Sequence, residues 1–136
     1  MKIIQIAGLA NMGKTTFIEN LIPALKLQGR IGVIKHMRDH DYCQEEGKDT
    51  TVFFEKGADI SAGIDSRKSV VTFRTINLDE ILSLFKQSGI DFAVIEGFKT
   101  RDFPKIVIGD LTIDTCILRN PTVEQVISSL SQFEDY

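Results

Sequence analysis

The chain has 136 residues, which at roughly 100–200 residues per domain predicts a single domain over 1–136. Sixteen basic against nineteen acidic residues leave a net charge of −3, which argues against a broad basic face for nucleic acid or anionic lipid. No apolar run approaches the roughly 20 residues of a membrane span, and 43% apolar content is ordinary for a globular domain.

Lys2 to Ala7 is an apolar, Ile-rich run that reads as a buried strand. From Lys14 to Gln28, Phe17, Ile18, Leu21, Ile22 and Leu25 recur at spacings of three and four, predicting a helix with an irregularity at Pro23. Gly29 closes it, and Ile31 to Lys35 is a second strand, so the chain opens strand–helix–strand with room for a parallel crossover. His36 to Lys48 is polar and aperiodic, a long loop of the kind that carries function. Thr50 to Lys56 reads as a short helix, and Ala58–Ile64 and Ser69–Arg74 as two strands joined by a turn over residues 65–68. Asn77 with Glu80 marks a capping box for a helix ending near Gly89. Asp91–Ile95, Lys105–Ile108 and Thr112–Leu118 read as strands and Pro121–Phe133 as the last helix. This alternation predicts a three-layer α/β fold with a largely parallel, mixed sheet flanked by helices.

Net charge is +1 through Lys68 and −4 beyond it, so an anion site is sought in the first half. There, Gly8-Leu9-Ala10-Asn11-Met12-Gly13-Lys14-Thr15 satisfies G-x-x-x-x-G-K-[ST], with a strand entering and a helix leaving. This is the Walker A pattern of a P-loop NTPase-like fold. Its glycines let backbone N–H groups converge on phosphates, and the helix start adds unpaired N–H groups and a positive dipole end. Lys14 supplies a point charge to the β- and γ-phosphates, and Thr15 a hydroxyl to Mg²⁺. A carboxylate is also needed near the metal, and Glu96 follows four apolar residues at a strand end. Ligation, ligation through water and a role as base all remain open for it. Lys35 and His36 close a strand at the same edge, as phosphate contacts or as a solvated end. Lys99 is a second phosphate contact or an exposed lysine, and Gly47-Lys48-Asp49-Thr50 a switch-like loop or a helix start. His36, His40 and Cys43 have a spacing compatible with metal, but no fourth ligand is evident. Cys43 and Cys116, in a chain showing no export signal, read as reduced thiols of a cytoplasmic protein.

Several blocks go beyond a generic P-loop. Gly13-Lys14-Thr15-Thr16 with Leu21-Ile22-Pro23-Ala24-Leu25, Val33-Ile34-Lys35-His36 with His40 and Asp41, Gly47-Lys48-Asp49-Thr50, Lys56-Gly57-Ala58, and Val94-Ile95-Glu96-Gly97-Phe98-Lys99 with Pro104-Lys105-Ile106 occur in collinear order. Together they resemble MobB, the molybdopterin-guanine dinucleotide biosynthesis adapter family, over about residues 3–108. The resemblance implies a GTP-binding, Mg²⁺-dependent, weakly hydrolytic homodimer. Its implied partner is the MobA-like guanylyltransferase that joins GMP to molybdopterin. By motif match Gly8, Asn11, Met12, Gly13, Lys14, Thr15 and Thr16 would hold the phosphates and Thr15 and Glu96 the Mg²⁺. Lys14 and Glu96 would serve any hydrolysis, with Lys35, His36, Lys48, Asp49 and Lys99 completing the site. Thr50 and Lys56 depart mildly from the family's usual serine and alanine. The match fades after Ile108, and no N-K-x-D guanine motif occurs, leaving Asp110, Asp114 and Asn120 to read the base. A small ATP-dependent kinase or ligase is the alternative reading. It requires a lid and an acceptor pocket, for which 136 residues leave little chain, so the length favours working through a partner.

Overall fold

The computed structural model describes residues 1–37 and 46–136 and divides the chain into two compact units, 1–37 with 82–136, and 38–81. The first unit is built on a five-stranded sheet of β1 (Lys2–Gly8), β2 (Ile31–Lys35), β5 (Phe92–Glu96), β6 (Lys105–Ile108) and β7 (Cys116–Arg119). Their order is β2-β5-β1-β6-β7 and every pairing is parallel. All five carboxyl ends therefore lie along one edge, where ligands of open α/β sheets bind. The β-branched runs of β1 and β5 suit strands covered on both faces, and Ile3 to Ala7 and Phe92 to Ile95 are buried.

Helix α1 (Lys14–Lys26) runs unbroken through Pro23. Pro23 and Glu19, whose carbonyl loses its helical partner, are both exposed rather than in the core, and the expected irregularity does not interrupt the helix. Ile18, Leu21 and Leu25 of α1 pack on Ile4, Ile6, Val94 and Ile106, with Val126 and Phe133 closing the far end. Each such side chain contributes about 1.5–3 kcal/mol on burial. Strands β6 and β7 are joined by residues 109–115 without a helix. The expected strand at Thr112–Leu118 is accordingly corrected to Cys116–Arg119. Residues 112–115 are spent returning the chain to the start of β7, and the ladder is irregular between Lys105 and Ile106. The expected last helix is also shorter. Helix α4 (Val123–Ser128) is followed by a 3₁₀ turn, Leu130–Gln132, and Thr122 with Gln125 forms its capping box.

The second unit contains α2 (Asp49–Glu55) and the antiparallel pair β3 (Ile60–Ile64) and β4 (Ser69–Phe73), a two-stranded sheet of its own. Asp65 shapes its turn by accepting from the N–H groups of Arg67 and Lys68, which holds its carboxyl below the usual range. Arg74 places its guanidinium 4.4 Å from the Phe54 ring centre and donates to the carbonyls of Phe54 and Ala58. Helix α3 (Leu78–Gln87) begins in this unit with the Asn77–Glu80 capping box and ends in the first.

Candidate nucleotide site

The site is assembled at the carboxyl edge of the first unit, from the loop after β1 and the last residues of β2 and β5. Residues 8–13 turn on two left-handed positions, Asn11 (φ 59°) and Gly13 (φ 81°). The first helical hydrogen bond runs from Phe17 N–H to Gly13 C=O at 2.9 Å. The N–H groups of Lys14, Thr15 and Thr16 thus precede the bonded ladder, and no side chain caps them. Such an arrangement favours an anion. Gly8 is required by space, because a Cβ there would lie 2.4 Å from the carbonyl oxygen of Ile108 on the paired strand. The Lys14 ammonium reaches across the loop and donates to the Leu9 carbonyl at 2.6 Å.

Glu96, the last residue of β5, is drawn to the loop by the strand pairing. Its Oε2 lies 3.5 Å from Thr15 Oγ1 and 3.6 Å from Lys35 Nζ. Its side chain is only 13% exposed and that of Lys35 is 55% exposed, so the carboxylate is held in the protein and the lysine is the movable partner. A hydroxyl and a carboxylate oxygen this close are hard oxygen donors of the kind Mg²⁺ takes, which fits Thr15 and Glu96 as its holders. His36 follows Lys35, donates its backbone N–H to the Glu96 carbonyl at 2.9 Å, and stacks on Phe98 with ring centres 4.2 Å apart at 16°. Lys99 sits in the turn after β5, closed by Arg101 N–H to Phe98 C=O at 3.0 Å. Met12 lies against Gly109, at the carboxyl end of β6.

Among the sequence candidates, Gly8 to Thr16, Lys35, His36, Glu96 and Lys99 thus belong to this edge. Lys48 and Asp49 open α2 in the second unit, and both are exposed. His40 and Cys43 lie outside the described residues, and among those described no cluster of three His, Cys, Asp or Glu can hold a metal. Asn120 ties the end of β7 to the end of β6. It is left-handed (φ 45°), and its Oδ1 accepts from Gly109 N–H at 2.6 Å. Arg119 donates to the carbonyls of Gly109 and Leu111, so the loop beside Met12 is tied from β7. Asp110 and Asp114 are exposed.

Two contributors escape sequence reading. Gln5 is completely buried and its Nε2 donates to the carbonyls of Gly97 and Phe98 at 2.6 and 2.8 Å. Lys105, equally buried, donates to the carbonyls of Arg101 and Phe103 and to Thr115 Oγ1. Burial holds its pKa below the ordinary 10.5, with Asp102 acting in the opposite direction. The signal for Gln5 was a polar residue within an apolar strand, and for Lys105 its place in the Pro104-Lys105-Ile106 block, which gave it no role.

Comparison with known proteins agrees with this geometry. The family model for molybdopterin guanine dinucleotide synthesis protein B matches residues 3–129. The chain belongs to the MobB family. A probable molybdopterin-guanine dinucleotide biosynthesis adapter protein of Bacillus subtilis is 36% identical over 113 residues, 78% of this chain and 64% of that protein. The corresponding adapter protein of Haemophilus influenzae is 33% identical over 110 residues, covering 78% and 62%. The chain therefore spans a little under two thirds of the length of these MobB relatives. The crystal structure of Bacillus subtilis MobB matches over the full length of both chains with a TM-score of 0.74 at 26% identity. The fold is thus the α/β, P-loop NTPase-like architecture of MobB. Among the described residues no helix is long and apolar enough to cross a membrane.

Proposed function

We propose that this MobB-family chain is a GTP-binding adapter of molybdenum cofactor biosynthesis. On this reading it forms a cytoplasmic homodimer of single nucleotide-binding domains and assists a MobA-like guanylyltransferase acting on molybdopterin. The observation that carries the proposal is the approach of Glu96 to Thr15, 3.5 Å across the mouth of a complete Walker A loop. Gly8 to Thr16 would hold the phosphates, with Lys14 leaving the Leu9 carbonyl for them. Thr15 and Glu96 would hold Mg²⁺, which when bound neutralises phosphate charge. Lys35, released from Glu96, and His36 and Lys99 would complete the contacts of this unit. The names of the relatives support the adapter role and the pathway.

Slow GTPase turnover is part of this reading. In the first unit Arg30 donates to the Ser88 carbonyl, Arg101 lies over Phe103, and Arg119 is tied to Gly109 and Leu111. With these three engaged within the fold, turnover lacking the factor of about 10³–10⁵ that an arginine finger contributes is expected to be slow.

The test is equilibrium binding of GTP and ATP, with and without Mg²⁺, to wild type and Lys14→Ala. We expect GTP to bind and Lys14→Ala to lose at least about 30-fold, the equivalent of about 2 kcal/mol for a charge-assisted contact. Full affinity in Lys14→Ala overturns the phosphate assignment, and tight ATP binding with which GTP does not compete overturns the choice of base. For the adapter role, added protein should raise product formation by the guanylyltransferase. No change in that rate overturns the role.

A further inference from the structure

The segment from β5 to β6 takes an unusual route. In the sheet these two strands flank β1, so residues 97–104 must cross β1 without a helix to satisfy their backbone. The crossing lies on the face opposite α1, since Gln5 and Lys105, paired side by side, alternate with the Ile4, Ile6 and Ile106 that meet α1. Gln5 collects the carbonyls of Gly97 and Phe98 from β1, and Lys105 those of Arg101 and Phe103 from β6.

The turn so held is conformationally strained. Gly97 and Phe98 are both left-handed, at φ 98° and 49°; glycine adopts this freely, but at Phe98 such backbone persists only where its surroundings over-determine it. The surroundings here are the two Gln5 bonds, the His36 ring on Phe98, and Gly97 N–H to Ile6 C=O at 3.2 Å. Gln5 also leaves its Oε1 buried without a partner among the described residues. That unpartnered oxygen costs about 1–3 kcal/mol, which offsets part of what the two bonds to Gly97 and Phe98 contribute. What the amide secures is a fixed turn immediately after Glu96.

We propose that Gln5 is a positioning residue for the nucleotide site: by holding the Gly97 and Phe98 carbonyls it sets the direction in which Glu96 leaves β5 toward Thr15. The inference rests on the Mg²⁺–nucleotide reading above and adds a residue that touches neither phosphate nor metal. It separates two quantities. Binding through the loop and Lys14 does not pass through Gln5, whereas the gain in GTP affinity on adding Mg²⁺ passes through Glu96 and does.

Gln5→Met keeps the length and removes the donor. We expect its metal-free GTP affinity to stay within about twofold of wild type and its Mg²⁺-dependent gain to fall about tenfold, or about 1.4 kcal/mol. In a Glu96→Gln background the same substitution should cost nothing further, because the two act in series. Amide exchange at Arg101, whose N–H closes the turn on Phe98, should accelerate about tenfold while amides within β5 keep their rates. If Gln5→Met does not fold, Gln5→Asn keeps the amide but falls one methylene short of both carbonyls and is read in the same way. An intact Mg²⁺-dependent gain in a folded variant, full additivity with Glu96→Gln, or unchanged exchange at Arg101 overturns the proposal. A wild-type protein that binds no GTP in either condition overturns the functional reading and the positioning role with it, while the exchange rates still report whether the clamp exists.

Discussion

The two glycines that frame the Walker A loop are required for different reasons, and the difference is measurable. Gly8 has Ile108 opposite it on β6, and a Cβ would stand 2.4 Å from that carbonyl oxygen and 3.3 Å from Lys14 Cδ. The first obstacle is backbone, so Gly8→Ala must push β1 and β6 apart by more than half an ångström at the mouth of the site. Forced overpacking of this kind costs about 1–3 kcal/mol. The displacement also carries Gly109, against which Met12 of the loop packs. Gly13 has nothing within 4 Å of its Cβ position but holds φ 81°. Gly13→Ala therefore incurs only the left-handed strain, about 1–2 kcal/mol, and Gly13→Asn less, since Asn visits that region readily. Urea unfolding and GTP binding of the three variants form the assay. Gly8→Ala should lower the unfolding midpoint at unchanged slope and weaken GTP at least about tenfold. Gly13→Asn should retain most of the stability. Wild-type behaviour of Gly8→Ala, or a lower unfolding midpoint in Gly13→Asn than in Gly8→Ala, would refute the reasoning.

Lys105→Met strands the carbonyls of Arg101 and Phe103 and should destabilise the protein by about 1–3 kcal/mol in urea unfolding. Because burial sets the folded pKa of Lys105 below 10.5, the unfolded chain keeps a proton that the folded chain releases. Wild type should therefore gain on Lys105→Met as pH rises from that folded pKa toward 10.5. A constant gap between the two over that window contradicts the assignment. Asn120→Ala removes the acceptor for Gly109 N–H and puts Ala in a left-handed position, for a combined loss of about 1–3 kcal/mol. Asn120→Gly, which keeps the backbone, should recover part of it in thermal unfolding. Thr122→Ala opens the capping box of α4 and should cost about 1 kcal/mol by the same measurement, with GTP affinity unchanged.

Much of the candidate site was legible because the pattern that defines it is local. The Walker A spacing, the helix that follows it and the acid ending an apolar strand each lie within about ten consecutive residues, and the β3–β4 turn and the Asn77–Glu80 cap are likewise short-range. The end of the chain was less legible. Residues 112–118 carry strand-like residues, yet most of them serve as the return path to β7, a requirement that exists only once β6 and β7 are parallel neighbours.

By itself, then, the sequence determined the phosphate loop, the Thr15–Glu96 pair as candidates, the alternation of strands and helices and the resemblance that the family match bears out. It determined these because spacing along the chain is what phosphate binding and helix capping require. Only the tertiary structure decided the order β2-β5-β1-β6-β7, which brings Glu96 beside Thr15 and obliges residues 97–104 to cross β1. It also decided why Gln5 and Lys105 are polar within buried strands. Their partners are carbonyls of that crossing, 92 or 93 residues away for Gln5, and no local pattern encodes them. Hydrogen-bond demand in an irregular, half-buried connection arises from topology, and the side chains that answer it become intelligible only with the fold in view.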